Sequence, residues 1–331
     1  MIHDNHVDDL FLDRSLGVVL ASAAGDALGA GYEFGPSLPL DTPVVMKGGG
    51  SFNWSPGEWT DDTQLAIAVL AAIPRRESQI DSVEARFRAW YNSNPADVGI
   101  QTRAVLSSPG SLVAAAAQVT AGRPNGSSGN GSLMRTGPVA LAAPGDPVKI
   151  TELAAAVSEL THPHPDCVDA CVLWSLAIDH AIRCAPEAKG GDSDGAWDWA
   201  NTLRLGLQHI PRDRQARWNS LINDSATAQP GDFTHNGWVI HAFQAALAAI
   251  CSTQVPGQAA SDHVREAIES AVRCGGDTDT VAAIAGSLIG ARYGAPAITV
   301  EWLDLLHGRQ TYDYPPLSVD DLTAMTMRAV A

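Results

Sequence analysis

Two acidic segments stand far apart in this chain: Thr60-Asp61-Asp62-Thr63 and Asp277-Thr278-Asp279-Thr280. Each clusters carboxylate and hydroxyl oxygens at the start of a stretch that reads as helix. Oxygen donors without nearby sulfur or imidazole suit Mg²⁺, Mn²⁺ or Ca²⁺ rather than Zn²⁺. Helix capping explains half of the pattern. Asp61 with Gln64 fits a capping box, and Asp277 or Thr278 fits the cap of a helix beginning near Thr280. A cap needs one carboxylate, however. The second acid at each helix start adds repulsion, which the helix dipole offsets by only about 0.3–1 kcal/mol per charge. A bound cation would relieve it. If the fold brings both segments together, they make an oxygen-lined site for one or two hard cations.

Other groups fit around such a site. Gly129-Asn130-Gly131-Ser132-Leu133-Met134-Arg135 is a glycine-rich turn leading into a helix. Exposed N–H groups there can hold phosphate or a ribose hydroxyl, and the same residues also suit an ordinary turn. Glu33 follows a glycine-rich helix end and reads as a mobile general acid or base, or as a solvated loop residue. Asp26 lies inside a small-residue helix, where a structural hydrogen-bonding role is expected. His162 and His164 sit in Thr161-His162-Pro163-His164-Pro165-Asp166, with Asp166 placed to cap the next helix. No second pair in zinc-like spacing accompanies them.

The elements that must position these groups read as helices. Arg14 to Ala30 is apolar and small, with Gly25 and Gly29 four apart on one face, a site for close packing. Gln64 to Ile73 is stopped at Pro74, and Ser78 to Tyr91 carries Val83, Phe87, Trp90 and Tyr91 at helical spacing. Further helices are expected at about 110–121, 132–143, 149–160, 166–185, 197–209, 212–224, 237–252, 259–273, 278–292 and 318–330. Alternating β-branched runs are hard to find, so an all-α fold is predicted. No interdomain linker stands out. Residues 1–331 are expected to form one domain, with its core at about 14–308.

Composition narrows the function. The 331 residues are 45% hydrophobic, enough for a globular core, and the net charge is −16. That charge and the lack of a basic patch argue against duplex nucleic-acid binding. An anionic ligand must therefore be held locally, by metal ions and backbone N–H groups. The five cysteines, at 167, 171, 184, 251 and 274, include no Cys-x-x-Cys and read as reduced thiols of a cytoplasmic protein. The opening residues lack the basic start of a signal peptide, and no apolar run reaches the ~18–20 residues that span a bilayer.

Together these segments resemble the ADP-ribosylglycohydrolase family, in particular its bacterial branch. The matches run in order: Gly25 to Ala30 with Glu33, Gly48 to Gly50, Thr60 to Thr63, Pro95-Ala96-Asp97-Val98-Gly99, Gly129 to Arg135, Thr161 to Pro165, and Gly275 to Thr280 with Ala285-Gly286. The resemblance implies a compact orthogonal bundle of helices with two Mg²⁺ (or Mn²⁺). It carries metal ligation to Thr60, Asp61, Asp62, Asp277, Asp279 and Thr280. It carries a loop glutamate near the site to Glu33, and ADP-ribose contacts to Gly129, Asn130, Gly131, Ser132 and His162. Catalysis would rest on Glu33, Asp61 and Asp62. The implied activity is hydrolysis at C1″ of ADP-ribose on a modified acceptor, arginine-linked protein first, with serine-, nucleic-acid- or small-molecule-linked ADP-ribose as alternatives. One departure stands out. An aspartate that the bacterial branch uses on arginine-linked substrates, three residues before the asparagine of the turn, is Ser127 here. Another carboxylate then serves, or the linkage preference or rate differs. The resemblance gives Asp97 no role. A non-catalytic ADP-ribose-binding relative would be expected to lose metal ligands, and all six are kept. An isoprenoid synthase would want a further acid where Leu65 and Ala66 stand.

Overall fold

The structure, a computed structural model, describes residues 2–74, 79–123, 127–184 and 197–331, with side chains from residue 9 onward. It is all-α. The first half holds α1 (Ile2–Gly29), α2 (Asp61–Leu70), α3 (Gln79–Asn92), α4 (Ile100–Leu106), α5 (Leu112–Ala121), α6 (Pro147–Glu159) and α7 (Pro165–Arg183). The second holds α8 (Trp199–Arg204), α9 (Arg212–Thr227), α10 (Val239–Ser252), α11 (Ala260–Arg273), α12 (Thr278–Tyr293), α13 (Val300–Leu305) and α14 (Val319–Val330). The one sheet among the described residues is an antiparallel pair, β1 (His307–Gly308) with β2 (Leu317–Ser318).

α12 is central. It is buried on every side from Thr278 to Ala291, and α1, α7, α10 and α11 pack around it. This explains why its sequence carries no amphipathic stripe. Its closest neighbour is α1, which runs antiparallel to it along a seam of small residues. Gly17 lies on Gly290, Ala21 on Gly286, Gly25 on Ala282 and Gly29 on Asp279. Four-residue spacing keeps each set on one helix face, so the backbones touch. The close approach expected of Gly25 and Gly29 is thus present, and it sets the position of the second acidic motif. A Cβ on Gly29 would sit 2.5 Å from the Cα of Asp279. Gly29→Ala is therefore expected to cost about 1–3 kcal/mol and also to lower activity, whereas Gly290→Ala, at the far end of the seam, should cost stability alone. Melting curves and initial rates of the two variants check this, and equal activity losses would contradict it.

Several expected boundaries shift. The helix expected at 132–143 is a turn followed by a 3₁₀ segment, Gly137–Ala142. Pro138 lacks the N–H for an α-helical ladder and disfavours helical geometry at Gly137. The helix expected at 197–209 breaks into α8 and a short 3₁₀ turn that follows Gly206. Asp166 does not cap α7. His164 does, accepting the Asp166 N–H at 3.2 Å, while the Asp166 carboxylate pairs with Arg217. The short helices α4 and α13 have no counterpart among the expected elements. The expected start at Ser78, residues 124–126 of the glycine-rich loop and most of the 184–194 connection lie outside the described residues. No described helix is long and apolar enough to cross a membrane.

Candidate active site

The first acidic motif is positioned from α1. The buried Asp26 carboxylate accepts the N–H groups of Thr60 and Thr63 at 3.0 Å each, and the Thr63 hydroxyl at 2.6 Å. The open N–H groups of a helix start are usually satisfied locally. Here a neighbouring helix does the work. The expected capping box does not form. Thr60 is the N-cap and accepts from the Asp62 N–H at 3.3 Å, while Gln64 turns away to accept from Trp90 Nε1 at 2.7 Å. The carboxylates of Asp61 and Asp62 are left to face a cleft.

The second motif is built likewise. α12 begins at Thr278, whose hydroxyl donates to the Gly29 carbonyl at 2.9 Å. Asp277 occupies the N-cap position, but its side chain caps nothing. It accepts instead from Asn130 Nδ2 at 2.8 Å, which ties the glycine-rich turn to the acidic motif. Asn236 completes the junction. It accepts the Asp277 N–H at 3.0 Å, donates to the Gly275 carbonyl at 2.8 Å, and its own carbonyl accepts from Asn130 at 2.9 Å. Gly275 and Gly276 have φ of +76° and +71°, which glycine adopts without the steric cost other residues meet.

Glu33 arrives from the other side. Its loop is pinned by two backbone hydrogen bonds, Phe34 N–H to Gly276 O at 2.7 Å and Gly276 N–H to Gly35 O at 2.9 Å. Glu33, Asp277 and Asp279 each offer a carboxylate oxygen, all within 4.8 Å of one another. The open cleft around them has a volume of about 470 Å³. Asp61, Asp62, Asp97 and Thr280 join its floor, and Gly129, Asn130, Gly131 and His162 form a wall.

His162 lies against the turn. A Cβ on Gly131 would sit 3.1 Å from its Nε2. The Thr161 hydroxyl accepts from Arg135 at 2.7 Å and shares a hydrogen bond with His162 Nδ1, also at 2.7 Å. Burial, helped by Arg135, lowers the His162 pKa to about 3, so the ring is neutral.

Two of the expected site residues lie more deeply. The Ser132 hydroxyl is fully buried, accepts from Ser158 at 2.9 Å and from Cys171 at 3.4 Å, and does not line the cleft. It braces the turn because the chain dives into the core after Gly131. The Thr60 hydroxyl is buried behind Asp62, 3.4 Å from its Oδ2, and also lies off the cleft surface. Ser127, too, is buried away from the cleft, and its hydroxyl has no partner among the described residues.

The family model described as ADP-ribosylglycohydrolase matches residues 7–329. The chain belongs to the ADP-ribosylglycohydrolase family. Similar proteins include ADP-ribosyl-[dinitrogen reductase] glycohydrolase of Rhodospirillum rubrum, 29% identical over 89% of this chain and 90% of the relative. ADP-ribosylarginine hydrolase Tri1 of Serratia proteamaculans is 27% identical, over 89% of this chain and 75% of its own. ADP-ribosylhydrolase ARH3 of Homo sapiens is 26% identical, over 91% of each chain. A solved ADP-ribosylglycohydrolase-related protein complex contains a chain 26% identical, with a TM-score of 0.71 over 97% of this chain and 98% of that one. The chain is a hydrolase of this family.

The electrostatics of this glycohydrolase cleft are those of an acid cluster. Burial first, then the neighbouring carboxylates, pushes Asp61, Asp62 and Asp279 well above the usual carboxylate range. Burial, with Asp277, Asp97 and Asp26 beside it, raises Glu33 to about 9. Two buried oxygens, Asp62 Oδ1 and Glu33 Oε2, have no hydrogen-bond partner among the described residues. Unpartnered buried carboxylate oxygens fit a hard cation, which takes oxygen ligands and cancels the repulsion. Sequence reasoning missed Asn236, whose only sign was the Asn236-Gly237 turn dipeptide, and it gave no part to Asp97, Phe34 or Arg123, all of which line the cleft.

Proposed function

We propose that this glycohydrolase cleaves the bond joining C1″ of ADP-ribose to an acceptor side chain, with arginine-linked protein as its substrate. The Asn130–Asp277 hydrogen bond carries this reading, because it makes the glycine-rich turn and the acidic floor parts of one cleft. The similarity to proteins named ADP-ribosylarginine hydrolase supports the choice of acceptor. We further propose that residues 1–331 work as a single domain, and that the enzyme, whose five cysteines are all free thiols, is cytoplasmic.

Thr60, Asp61, Asp62, Asp277, Asp279 and Thr280 would hold two Mg²⁺ (or Mn²⁺). When bound, such ions supply Lewis acidity, which lowers the pKa of water and anchors hydroxyl oxygens. The protein's own groups do the rest. The N–H groups of Gly129 and Gly131 have no partner among the described residues and would receive the diphosphate, as an acidic protein requires. With its proton on Nε2, the neutral His162 would offer an N–H donor beside them without adding charge. Asp61, Asp62 or Glu33 accepts a proton from the attacking water. The water oxygen bonds to C1″ while the C1″–N bond breaks. Its electron pair leaves with the guanidine nitrogen, which takes up a proton. The carboxylate floor stabilises the oxocarbenium-like charge that develops at C1″. Chromatography of the products tests the bond assignment. Intact ADP-ribose with unmodified arginine is expected, and AMP in its place would refute it.

Metal binding should also be linked to protons. The raised carboxylates hold protons that a cation must displace. Affinity for Mg²⁺ or Mn²⁺ is therefore expected to climb with pH up to about 9, where Glu33 gives up its proton, by about tenfold per pH unit for each proton displaced. Calorimetry in buffers of different protonation enthalpy reads the proton release directly. An affinity unchanged from about pH 6 to 9 would contradict the shared-site geometry.

A further inference from the structure

Away from the cleft, two guanidiniums meet at the far end of α12. Arg14 of α1 and Arg292 of α12 both donate to the Cys184 carbonyl, Arg292 at 3.0 Å, and Arg14 also donates to the Ile182 carbonyl at 2.8 Å. These carbonyls end α7. Arg292 lies over the Trp197 ring, 4.0 Å from its centre. Arg292 and Trp197 are half-buried, whereas Arg14 is only 3% exposed. The chain carries 37 acidic residues against 21 Lys and Arg, yet among the described residues no carboxylate acts on either guanidinium. The groups that favour their charge are the Cys184 thiol and, for Arg292, the Tyr293 phenol. Burial, then the charge of Arg292, pulls Arg14 down to about 10, and burial pulls Arg292 down as well. Two donors in this cluster, Arg14 Nε and Trp197 Nε1, are buried with no partner among the described residues. Buried donors are nearly always satisfied, by a bound ion where the protein offers no acceptor.

We propose that Arg14, Arg292 and the Trp197 N–H form an anion site separate from the cleft, one that binds phosphate, free or as a phosphomonoester. Burying two like charges side by side is costly unless an anion joins them. The C-terminal end of α7 offsets part of that cost, but far less than a full counter-charge does. A guanidinium presents its donors as a planar fork that matches the oxygens of phosphate. Arg292 keeps donors beyond the one given to Cys184, and Arg14 Nε and Trp197 Nε1 are unclaimed. A phosphate group has the oxygens and the charge to answer both guanidiniums at once. Thr278, at the start of α12, and Arg292 are separated by about 20 Å of helix, so the acidic motifs lie at the other end. Bound phosphate ties α1, α7 and α12 together close to the Gly17–Gly290 contact. It stabilises the fold by mass action and takes no part in hydrolysis.

The test compares wild type with Arg292→Met and Arg292→Lys by calorimetry and melting curves. The probes are inorganic phosphate and ribose 5-phosphate, in chelator and at an ionic strength held constant with NaCl. Wild type should bind phosphate and melt at a higher temperature as phosphate replaces chloride. In Arg292→Met that affinity should fall about 10- to 100-fold, as expected for loss of charge-assisted hydrogen bonds. Arg292→Lys keeps the charge without the fork and should fall between. ADP-ribose affinity, measured with Mg²⁺, should be the same in all three proteins. The probe that binds more tightly identifies the source, free phosphate or a phosphomonoester. Phosphate binding that is absent from wild type, or equal in wild type and Arg292→Met, overturns the assignment. A parallel loss of ADP-ribose affinity overturns it too. Should Arg292→Met fail to fold, the comparison of wild type with Arg292→Lys decides, and equal phosphate affinities there refute the site.

Discussion

Asp279→Ala and Asp62→Ala are each expected to abolish turnover of ADP-ribosylated protein, by on the order of 10³-fold in kcat, the upper range for loss of one electrostatic group in a site. The two residues come from opposite ends of the chain, yet Asp62 raises the pKa of Asp279, and Asp277, two residues before Asp279, raises that of Asp62. Both are nearly fully buried, and Asp62 Oδ1 has no partner of its own. Removing either would leave the fold with less repulsion. Both variants should therefore melt at or above the wild-type temperature in chelator, and lose the extra stability that Mg²⁺ or Mn²⁺ gives the wild type. That combination separates a ligand from a structural residue. A variant that kept wild-type rates, or that failed through unfolding, would not fit the account.

Asp26→Ala should be the most destabilising single change near the cleft. Among the described residues its carboxylate is the only partner of the Thr60 and Thr63 N–H groups and of the Thr63 hydroxyl. Alanine would leave these buried donors unsatisfied, at about 1–3 kcal/mol each. A net loss of about 3–5 kcal/mol is expected, because water can enter part of the space. At about 2–4 °C per kcal/mol, the melting temperature should drop by roughly 6–20 °C. Asp26→Asn keeps one acceptor oxygen and should fall between. Activity should drop as well, since α2 would lose the contact that orients Asp61 and Asp62. Differential scanning calorimetry of the three proteins decides. An Asp26→Ala melting temperature within about 2 °C of wild type would mean that α2 is positioned by its packing alone.

How much of this was legible in the sequence follows from how local each signal is. The acidic motifs, the glycine-rich turn and most long helices are written in neighbouring residues, and they lie near where the spacing placed them. The seam between α1 and α12 was half legible: Gly25 and Gly29 signal a close approach, but only the fold shows that Asp279 is what they approach. The capping of α2 was read wrongly. Gln64 sits at the right spacing for a box, and a buried tryptophan from α3 outcompetes the local bond. Asp26 was expected to be structural, but its partners 34 and 37 residues away could not be read from periodicity. The surroundings of Ser132 were equally hidden. Its hydroxyl is claimed by α6 and α7 rather than by the cleft. Asp97 matched a motif without a role, because nothing local says that its loop reaches the same floor as Glu33.

The central claim is that one metal-dependent cleft holds ADP-ribose and cleaves its bond to the acceptor. The most direct measurement is release of free ADP-ribose from arginine-, serine- and nucleic-acid-linked substrates, each with Mg²⁺ and again with excess chelator. The account predicts intact ADP-ribose from the arginine linkage with Mg²⁺ and none above background in chelator. Release that chelator leaves unchanged, or no release from any linkage while ADP-ribose still binds, would contradict it.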